Sequence, residues 1–482
     1  MSRLCGGGLF RTSTGGRSMR HPQRLSIPIH LERGLPEPLQ DQLTAQLRRA
    51  IVRGQLAPRS RMPSTRTLSR VLGISRGVAL AAFERLLAEG YITGRHGSGT
   101  YVCEQAGAAP RAAASGETLL DLRLDRPSTQ GFPLAAWRAA WRRAGLHRPP
   151  LGGLPATGLP ALRAAIAAHL RHARGLELDG HEVIVTPGIA DALRLILRAQ
   201  GGSDPVIALE DPAPPKLRAA LSRLGTVLPL PVDGSGARTD RIPAACDVVV
   251  VLPERGDPLG TRLPLDRRHA LTQWARDSGG LVLEPAFDGL FAARPEPLPE
   301  PLPAVPALGD TWSTAMVGSF AEVLTPTLRL AFAVVPRRLA GEIEQFMPAG
   351  PSITSQLAVT DLLRSGCVAG RMAELSAQYA AKRALVRQAL EAYPHTRLLG
   401  ARTGAAATLL LPVSVPAPSV AAALLARRVQ VAELAAFHHP ESQPGNGIVL
   451  SFGHLDGVSL RRALHALTRT LDEHRLARRT AA

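Results

Sequence analysis

Hydrophobic positions recur at three- and four-residue steps from Pro38 to Gly54, where Leu39, Leu43, Leu47, Ala50 and Ile51 mark one face of a helix that Gly54 stops. A second helix is predicted to start at Ser64, whose hydroxyl can cap it, with Pro63 before it and Leu68, Val71 and Leu72 turned inward. Gly73 makes the turn, and Ser75 caps a third helix whose buried stripe is Ala79, Ala82, Phe83, Leu86 and Leu87, ended by Gly90. Tyr91–Arg95 and Thr100–Val102 flank His96-Gly97-Ser98-Gly99 and read as a β-hairpin. The segment 104–118 is rich in Ala, Gly and Ser without apolar periodicity, so it is a linker. Beyond it, helical patterns such as Leu159–Arg171 and Ile189–Ala199 alternate with apolar runs at Val183–Thr186, Val206–Leu209, Asp247–Leu252 and Gly280–Glu284. That alternation predicts an α/β unit around a mostly parallel central sheet. Arg294–Leu308 is proline-rich and is expected to be an extended surface connection.

A length of 482 residues exceeds one compact core and calls for at least two folding units. With 45% hydrophobic and 20% charged residues the chain is neither globally disordered nor of a membrane class, and no stretch nears the ~20 apolar residues that a bilayer demands. Residues 1–105 hold sixteen Arg against six Asp or Glu, so more than half of the formal +18 lies in about the first fifth of the chain, which suits a polyanionic partner. All but two basic residues, Lys216 and Lys382, are arginine, and arginine is spread over the whole chain, so charge alone is a weak guide to nucleic acid. Cys5, Cys103, Cys246 and Cys367 lie far apart without metal spacing, which fits a reducing cytoplasm. Residues 1–26 lack the apolar run of ~7–15 residues of a secretory signal and read as a flexible tail, with Met19 a second candidate start.

The three helices, the second and third joined by the short turn Leu72-Gly73-Ile74-Ser75, make a helix-turn-helix within 27–103. Its third helix would lie in the DNA major groove. There Arg76 can reach guanine O6 and N7 with two parallel donors, Gly77 leaves room, and Arg66 sits in the first turn of the helix before, suited to phosphate. The glycine-rich hairpin is a wing able to approach the minor groove. The run MPSTRTLSRVLGISRGVALAAFERLLAEGYITGRHGSGTYV resembles the winged helix-turn-helix of GntR-type repressors, written "LPS-x-R-x-L-A…LG-V-S-R-x-T-V…A-Y-x-x-L-x-x-E-G". That resemblance implies contacts with double-stranded operator DNA from Arg66, Ser75, Arg76, Gly77, His96 and Gly97. Gly77 and Val78 depart from the usual polar pair, which bears on sequence preference.

Residues 119–482 carry a series of short signatures in order: Gly131-Phe132-Pro133 with Trp137, Thr157-Gly158-Leu159-Pro160-Ala161-Leu162-Arg163, Val185-Thr186-Pro187-Gly188, Glu210-Asp211-Pro212, Asp257-Pro258-Leu259-Gly260, Glu284…Asp288 and Gly318-Ser319-Phe320…Pro326…Leu328-Arg329. Their order and spacing resemble a fold-type I aminotransferase, and with the head they resemble the MocR subgroup of GntR regulators over nearly the whole chain. The resemblance implies a homodimer with a pyridoxal phosphate pocket between a large subdomain (about 150–335) and a small one (about 336–482). Pyridoxal phosphate needs a lysine amine for its Schiff base, a carboxylate beside the pyridinium nitrogen, and small donors with an arginine around its phosphate. Against the family's "G-T-F-S-K-x-L-x-P-x-L-R", this chain sets Glu322 in the lysine position and Ala321 in place of the serine beside it. Pro285, Ala286 and Phe287 replace the two aspartates and the tyrosine of "E-D-D-Y-D", Pro187-Gly188-Ile189-Ala190 replaces "S-G-A-Q", and Val449 stands where a substrate-binding arginine belongs. Arg329 keeps the phosphate-arginine position, either as a vestige or as a buried structural arginine paired with a carboxylate such as Glu322. Lys216 and Lys382 lie in no matching motif and are expected to be solvated surface lysines. His438-His439 lacks the spacing of a metal site, and none is assigned.

The expectation is therefore a cytoplasmic, homodimeric transcriptional regulator: a winged helix-turn-helix joined to an aminotransferase-like domain that holds no covalent cofactor and is catalytically inactive, with room for an unknown small-molecule effector. The rivals are a pyridoxal phosphate-dependent aminotransferase carrying a DNA-binding domain, and a DNA-binding dimer that senses no ligand.

Overall fold

Local sequence sets the ends of the head helices in the computed structural model, which describes residues 29–32, 34, 38–88, 91–95, 99–103, 119–124, 126–148, 152, 155–286, 305–308, 313–347 and 349–479. Helix α1 (Leu39–Val52) closes at Gly54, whose φ is 72°. Before α2 (Thr65–Leu72) the Ser64 hydroxyl accepts from the Thr67 N–H at 3.1 Å, a cap of about 1 kcal/mol, and Gly73 ends the helix at φ 63°. Ser75 caps α3 (Arg76–Ala88) by accepting from the Val78 N–H at 3.3 Å. The hairpin of β1 (Ile92–Arg95) and β2 (Gly99–Val102) sets Ile92 opposite Val102, and both join Leu43, Leu47, Ile51, Leu68, Phe83 and Leu86 in one core. Two residues expected inside are not: Val71 is 65% and Leu87 42% exposed, because a core this small covers a narrower arc of each helix than the full apolar pattern spans. The tail 1–26, the linker 104–118, Gly90, His96 and Gly97 lie outside the described residues.

The chain divides into two units, Met1–Gly116 and Glu117–Ala482. The second opens with β3 (Leu120–Asp121), α4 (Leu134–Gly145), α5 (Pro160–Arg174), β4 (His181–Thr186) and α6 (Ile189–Gln200). Then come β5 (Val206–Asp211), α7 (Pro215–Leu221), β6 (Thr226–Asp233), β7 (Gly236–Ala237), β8 (Val248–Val250), α8 (Leu265–Ser278) and β9 (Leu281–Ala286). The turn α9 (Val305–Leu308), β10 (Thr314–Ser319) and β11 (Ala331–Pro336) complete an eight-stranded sheet in the order β4-β11-β10-β9-β8-β5-β6-β7. Strands β6, β5, β8, β9 and β10 pair in parallel, while β11 is antiparallel to β10 and β4, and β7 to β6. Packed on both faces, the central strands read as unbroken apolar runs, with Val248–Val250 fully buried.

Helices α10 (Arg337–Phe346), α11 (Ile353–Arg364) and α12 (Cys367–Leu390) lead to a smaller sheet. It consists of β12 (Arg397–Leu399), β13 (Ala406–Leu410), β15 (Ala432–Glu433) and β16 (Gly447–Ser451), with α13 (Ala417–Ala426) and α14 (Gly457–Arg479) alongside. Strand β3 pairs in parallel with β14 (Val429–Gln430), so the first residues after the linker belong with this C-terminal part. The expected extended surface run 294–308 is corrected at its end: 305–308 form a helical turn, and Val305 is buried because its N–H satisfies the buried Glu284 carboxylate at 3.0 Å. No helix among the described residues is long and apolar enough to cross a membrane.

The Thr157–Arg163 motif has a packing role. Gly158 has φ +102°, the Thr157 carbonyl accepts from the Val185 N–H, and a Cβ built on Gly158 would lie 2.6 Å from the Val185 Cβ. Gly158→Ala is expected to cost about 2–4 kcal/mol, against about 1–2 for Gly175→Ala, whose φ is also positive but whose Cβ would meet open space. Urea-unfolding midpoints of the two variants check the difference.

Candidate functional site

On the head, Arg66, Arg76 and Gly77 are exposed on the first turns of α2 and α3, as a major-groove reader requires. The Ser75 hydroxyl accepts from the Val78 N–H and is exposed, so its own O–H can still donate. The sequence reading missed Arg61. The stretch 59–62 lies beside the hairpin, where Arg59 N–H donates to the Val102 carbonyl and Met62 N–H to the Thr100 carbonyl. Arg61 bridges to Tyr101, and its guanidinium lies against Gly99, where a Cβ would come within 2.9 Å of Nε. This fixes a cation at the root of the wing. Pro58-Arg59-Ser60-Arg61 has no alternation that would have flagged a strand partner.

In the second unit a cavity of about 430 Å³ opens at the carboxyl ends of the parallel strands. Ile189, Ala190 and Leu193 of α6 and Lys216, Leu217 and Ala220 of α7 form one side. Ser319, Ala321, Glu322 and Val323 after β10 form the floor, and Leu375, Tyr379 and Arg383 of α12 face them. Leu124, Arg126 and Pro127, just past β3, complete the rim. Glu322 thus lies in the cavity wall, while Arg329 does not: it is exposed, with φ 51°, on the turn after Pro326–Leu328, so the reading of Arg329 as a buried paired arginine is corrected. Val449 is fully buried against Leu434 and Phe437. Pro285 and Ala286 are buried at the end of β9, whereas Phe287 and Asp288 lie outside the described residues. The N-terminus of α6, a place for an anion, already carries Asp191 in its first turn.

Lys216 lies at the surface as expected, whereas the expectation for Lys382 is corrected. Lys216 is exposed but lines the cavity from α7. Lys382 is a buried amine: its Nζ donates to the Gly453 carbonyl at 2.6 Å and to Gln130 Oε1 at 3.4 Å. Burial lowers its pKa to about 8, partly countered by Asp456. Lys382 and Arg371, whose guanidinium donates to the Ser128 carbonyl at 2.9 Å, tie the 128–131 segment to α12.

The Glu210-Asp211-Pro212 motif is a structural junction. The Asp211 carboxylate accepts from the His439 N–H at 2.6 Å and lies 3.4 Å from His438 Nδ1. Burial raises its pKa, but His438, Ser442 and His439 together outweigh that and hold it below the usual carboxylate range. Gly445 N–H points to His438 Nε2 at 3.2 Å, so both ring nitrogens are engaged within the protein. No group of three or more His, Cys, Asp or Glu able to hold a metal occurs among the described residues.

The head matches the model for bacterial regulatory proteins of the gntR family over residues 39–102, and residues 123–447 match that for class I and II aminotransferases. The HTH-type pyridoxine biosynthesis transcriptional regulator PdxR of Corynebacterium glutamicum is 33% identical over 91% of this chain and 97% of its own. The probable rhizopine catabolism regulatory protein MocR of Rhizobium meliloti is 29% identical over 73% and 76%. Among solved structures, a multiple substrate aminotransferase from Thermococcus profundus superposes with a TM-score of 0.67 at 19% identity, covering 75% of this chain and 93% of that one. An aminotransferase from Mycobacterium tuberculosis gives 0.65 at 23% identity over 74% and 93%. The two units thus define a DNA-binding head fused to an aminotransferase fold, a fold whose family uses pyridoxal phosphate. The chain belongs to the MocR-type GntR transcriptional regulators.

Glu210 supplies a pH test. Its carboxyl is wholly buried, with Oε1 accepting from the Leu252 N–H at 2.9 Å, and burial raises its pKa to about 7 against that opposing bond. Between its ordinary value of 4.5 and about 7 the folded state therefore holds more protons than the unfolded. Glu210 contributes stability in full below that ordinary value and loses it as pH rises through about 7, a change on the order of 3 kcal/mol. Glu210→Gln is expected to be more stable than wild type at pH 8 and to lack this slope, as read from urea midpoints of both proteins between pH 4.5 and 8.

Proposed function

We propose that the chain acts as a homodimer on operator DNA, and that its aminotransferase-like unit is a catalytically inactive, non-covalent sensor of a small molecule. The observation that carries this reading is Glu322: the wall after β10, where the family pattern puts the Schiff-base amine, offers a carboxylate with Ala321 beside it. The end of β9 offers Pro285 and Ala286 in place of a carboxylate for a pyridinium nitrogen. Arg329, the one phosphate residue retained in sequence, is exposed outside the cavity wall. These residues do not fit a Schiff-base-bound pyridoxal phosphate, and no step of transamination is derived from them.

The walls that remain suit reversible binding. Apolar side chains dominate, and a few polar groups, among them Ser319, Tyr379 and Arg383, can orient a ligand. The rim residues Leu124, Arg126 and Pro127 follow the linker by only a few residues, so a ligand that holds them biases how the chain leaves this unit toward the head. Dimerisation would set the spacing of two heads on a two-fold operator. Because one relative is named for pyridoxine biosynthesis, pyridoxal and its phosphate are the first ligands to try.

Full-length protein incubated with pyridoxal phosphate and then reduced with borohydride is expected to keep its unmodified mass. A reduced adduct on Lys216 or Lys382 would sink the non-covalent reading. For DNA, duplexes enriched by the full-length protein from a random library serve as probes. Arg66→Ala should weaken binding evenly across sequences and lower the slope of log affinity against log salt by about 1, while Arg76→Ala should lose about 1–3 kcal/mol at one guanine. Fluorescence anisotropy over a salt series separates the two patterns.

A further inference from the structure

We propose that Leu80 is a base-reading residue that packs on the 5-methyl group of a thymine in each operator half-site, and that Gly77 clears the way for it. The proposal rests on the operator-binding reading above and adds a specificity determinant to it. Helix α3 buries Ala79, Ala82, Phe83 and Leu86 in the head core, which turns Arg76, Gly77, Leu80 and Glu84 outward. Leu80 is 47% exposed and lies one helical turn beyond Arg76 on the same face. A half-exposed branched side chain on the helix that enters the major groove finds one apolar partner there, the thymine methyl.

Gly77 supports the same geometry. Glycine weakens a helix, yet here φ is ordinary and an added Cβ would meet only the Ser75 hydroxyl oxygen, at 3.8 Å. Among the described residues nothing requires a glycine at this point, so its advantage lies outside, where a close-lying groove would meet that Cβ. The four steps from Arg76 to Leu80 rise about 6 Å, close to two base-pair steps. The thymine is therefore expected about two pairs from the guanine that Arg76 reads. Glu84, one turn further, presents a carboxylate that backbone phosphates repel, which ends the reading surface near Leu80.

The test uses full-length protein and the enriched duplexes described above, with each thymine replaced in turn by deoxyuridine, a change that removes only the methyl. One position per half-site is expected to lose roughly three- to fivefold in affinity. Leu80→Ala, exposed and thus harmless to the core, should bind the unsubstituted duplex weaker by a similar factor and be indifferent to uridine at that position. Gly77→Ala should match or exceed wild type in melting temperature while binding the duplex several-fold more weakly. No uridine effect at any position, or equal sensitivity in Leu80→Ala, overturns the role of Leu80 and would show that the side chain instead covers a protein surface. A Gly77→Ala variant that binds as well as wild type overturns the part assigned to Gly77. Failure to enrich any duplex would remove the operator-binding reading itself, and this proposal with it.

Discussion

Parallel pairing of β5, β8, β9 and β10 is the constraint on which the large unit depends. Every strand in that run must enter from the same edge, so the turns that follow them gather at the opposite edge, and a cavity forms there whatever chemistry its lining supports. Motif residues that serve this arrangement keep the family pattern. Gly158 presses on Val185, Gly260 lies where any Cβ would come 2.2 Å from the Gly400 Cα, and Asp211 joins β5 to the His438-His439 turn. Positions 285, 286, 321, 322 and 449, which in the family pattern would touch only a cofactor or substrate, carry other residues in this sequence. The two groups share a sequence neighbourhood but answer to different forces, so a fold of this kind can stand while the residues of its pocket vary.

The same division explains what could be read from the sequence. The head was legible because caps, glycines and apolar periodicity are local, and the parallel sheet because strands buried on both faces leave apolar runs. Burial on the third dimension was not. Helix α12 packs on more than one side, so Lys382 looked like an ordinary charge on a solvated face, although it, like Arg371, reaches a carbonyl in a segment far away in the chain. The cavity wall gathers residues from near 124, 190, 216, 320, 380 and 405, and no spacing rule connects these stretches. For Lys216 the exposure was legible in the sequence, and its place in the cavity wall was not.

Arginine does two jobs in this chain, and net charge cannot tell them apart. In the large unit Arg255, Arg268, Arg371 and Arg383 are buried, and the first three reach carbonyls and carboxylates through the forked guanidinium. Arg255, for instance, pairs with Asp257 at 2.7 Å and donates to the Ala406 carbonyl at 3.0 Å, tying the turn after β8 to the smaller sheet. Five donors on a rigid plane make this possible where lysine would satisfy fewer acceptors. In the head, Arg61, Arg66 and Arg76 are exposed. The arginines that matter for a polyanion are distinguished by the guanidinium donors they turn to solvent, not by number.

That distinction bears on how a sensor of this construction can work. A ligand shifts a population only through affinity that differs between two arrangements, and a tenfold difference corresponds to about 1.4 kcal/mol. A covalent bond would hold a cofactor equally in every arrangement, so most of its energy would be blind to the choice. A reversible occupant touching α6, α7, α12 and Leu124, Arg126 and Pro127 would gain contacts that depend on how those segments are arranged. On the reading proposed above, an acid at Glu322 in place of a tether would remove chemistry and, by the same change, would leave binding energy free to depend on how the walls are arranged.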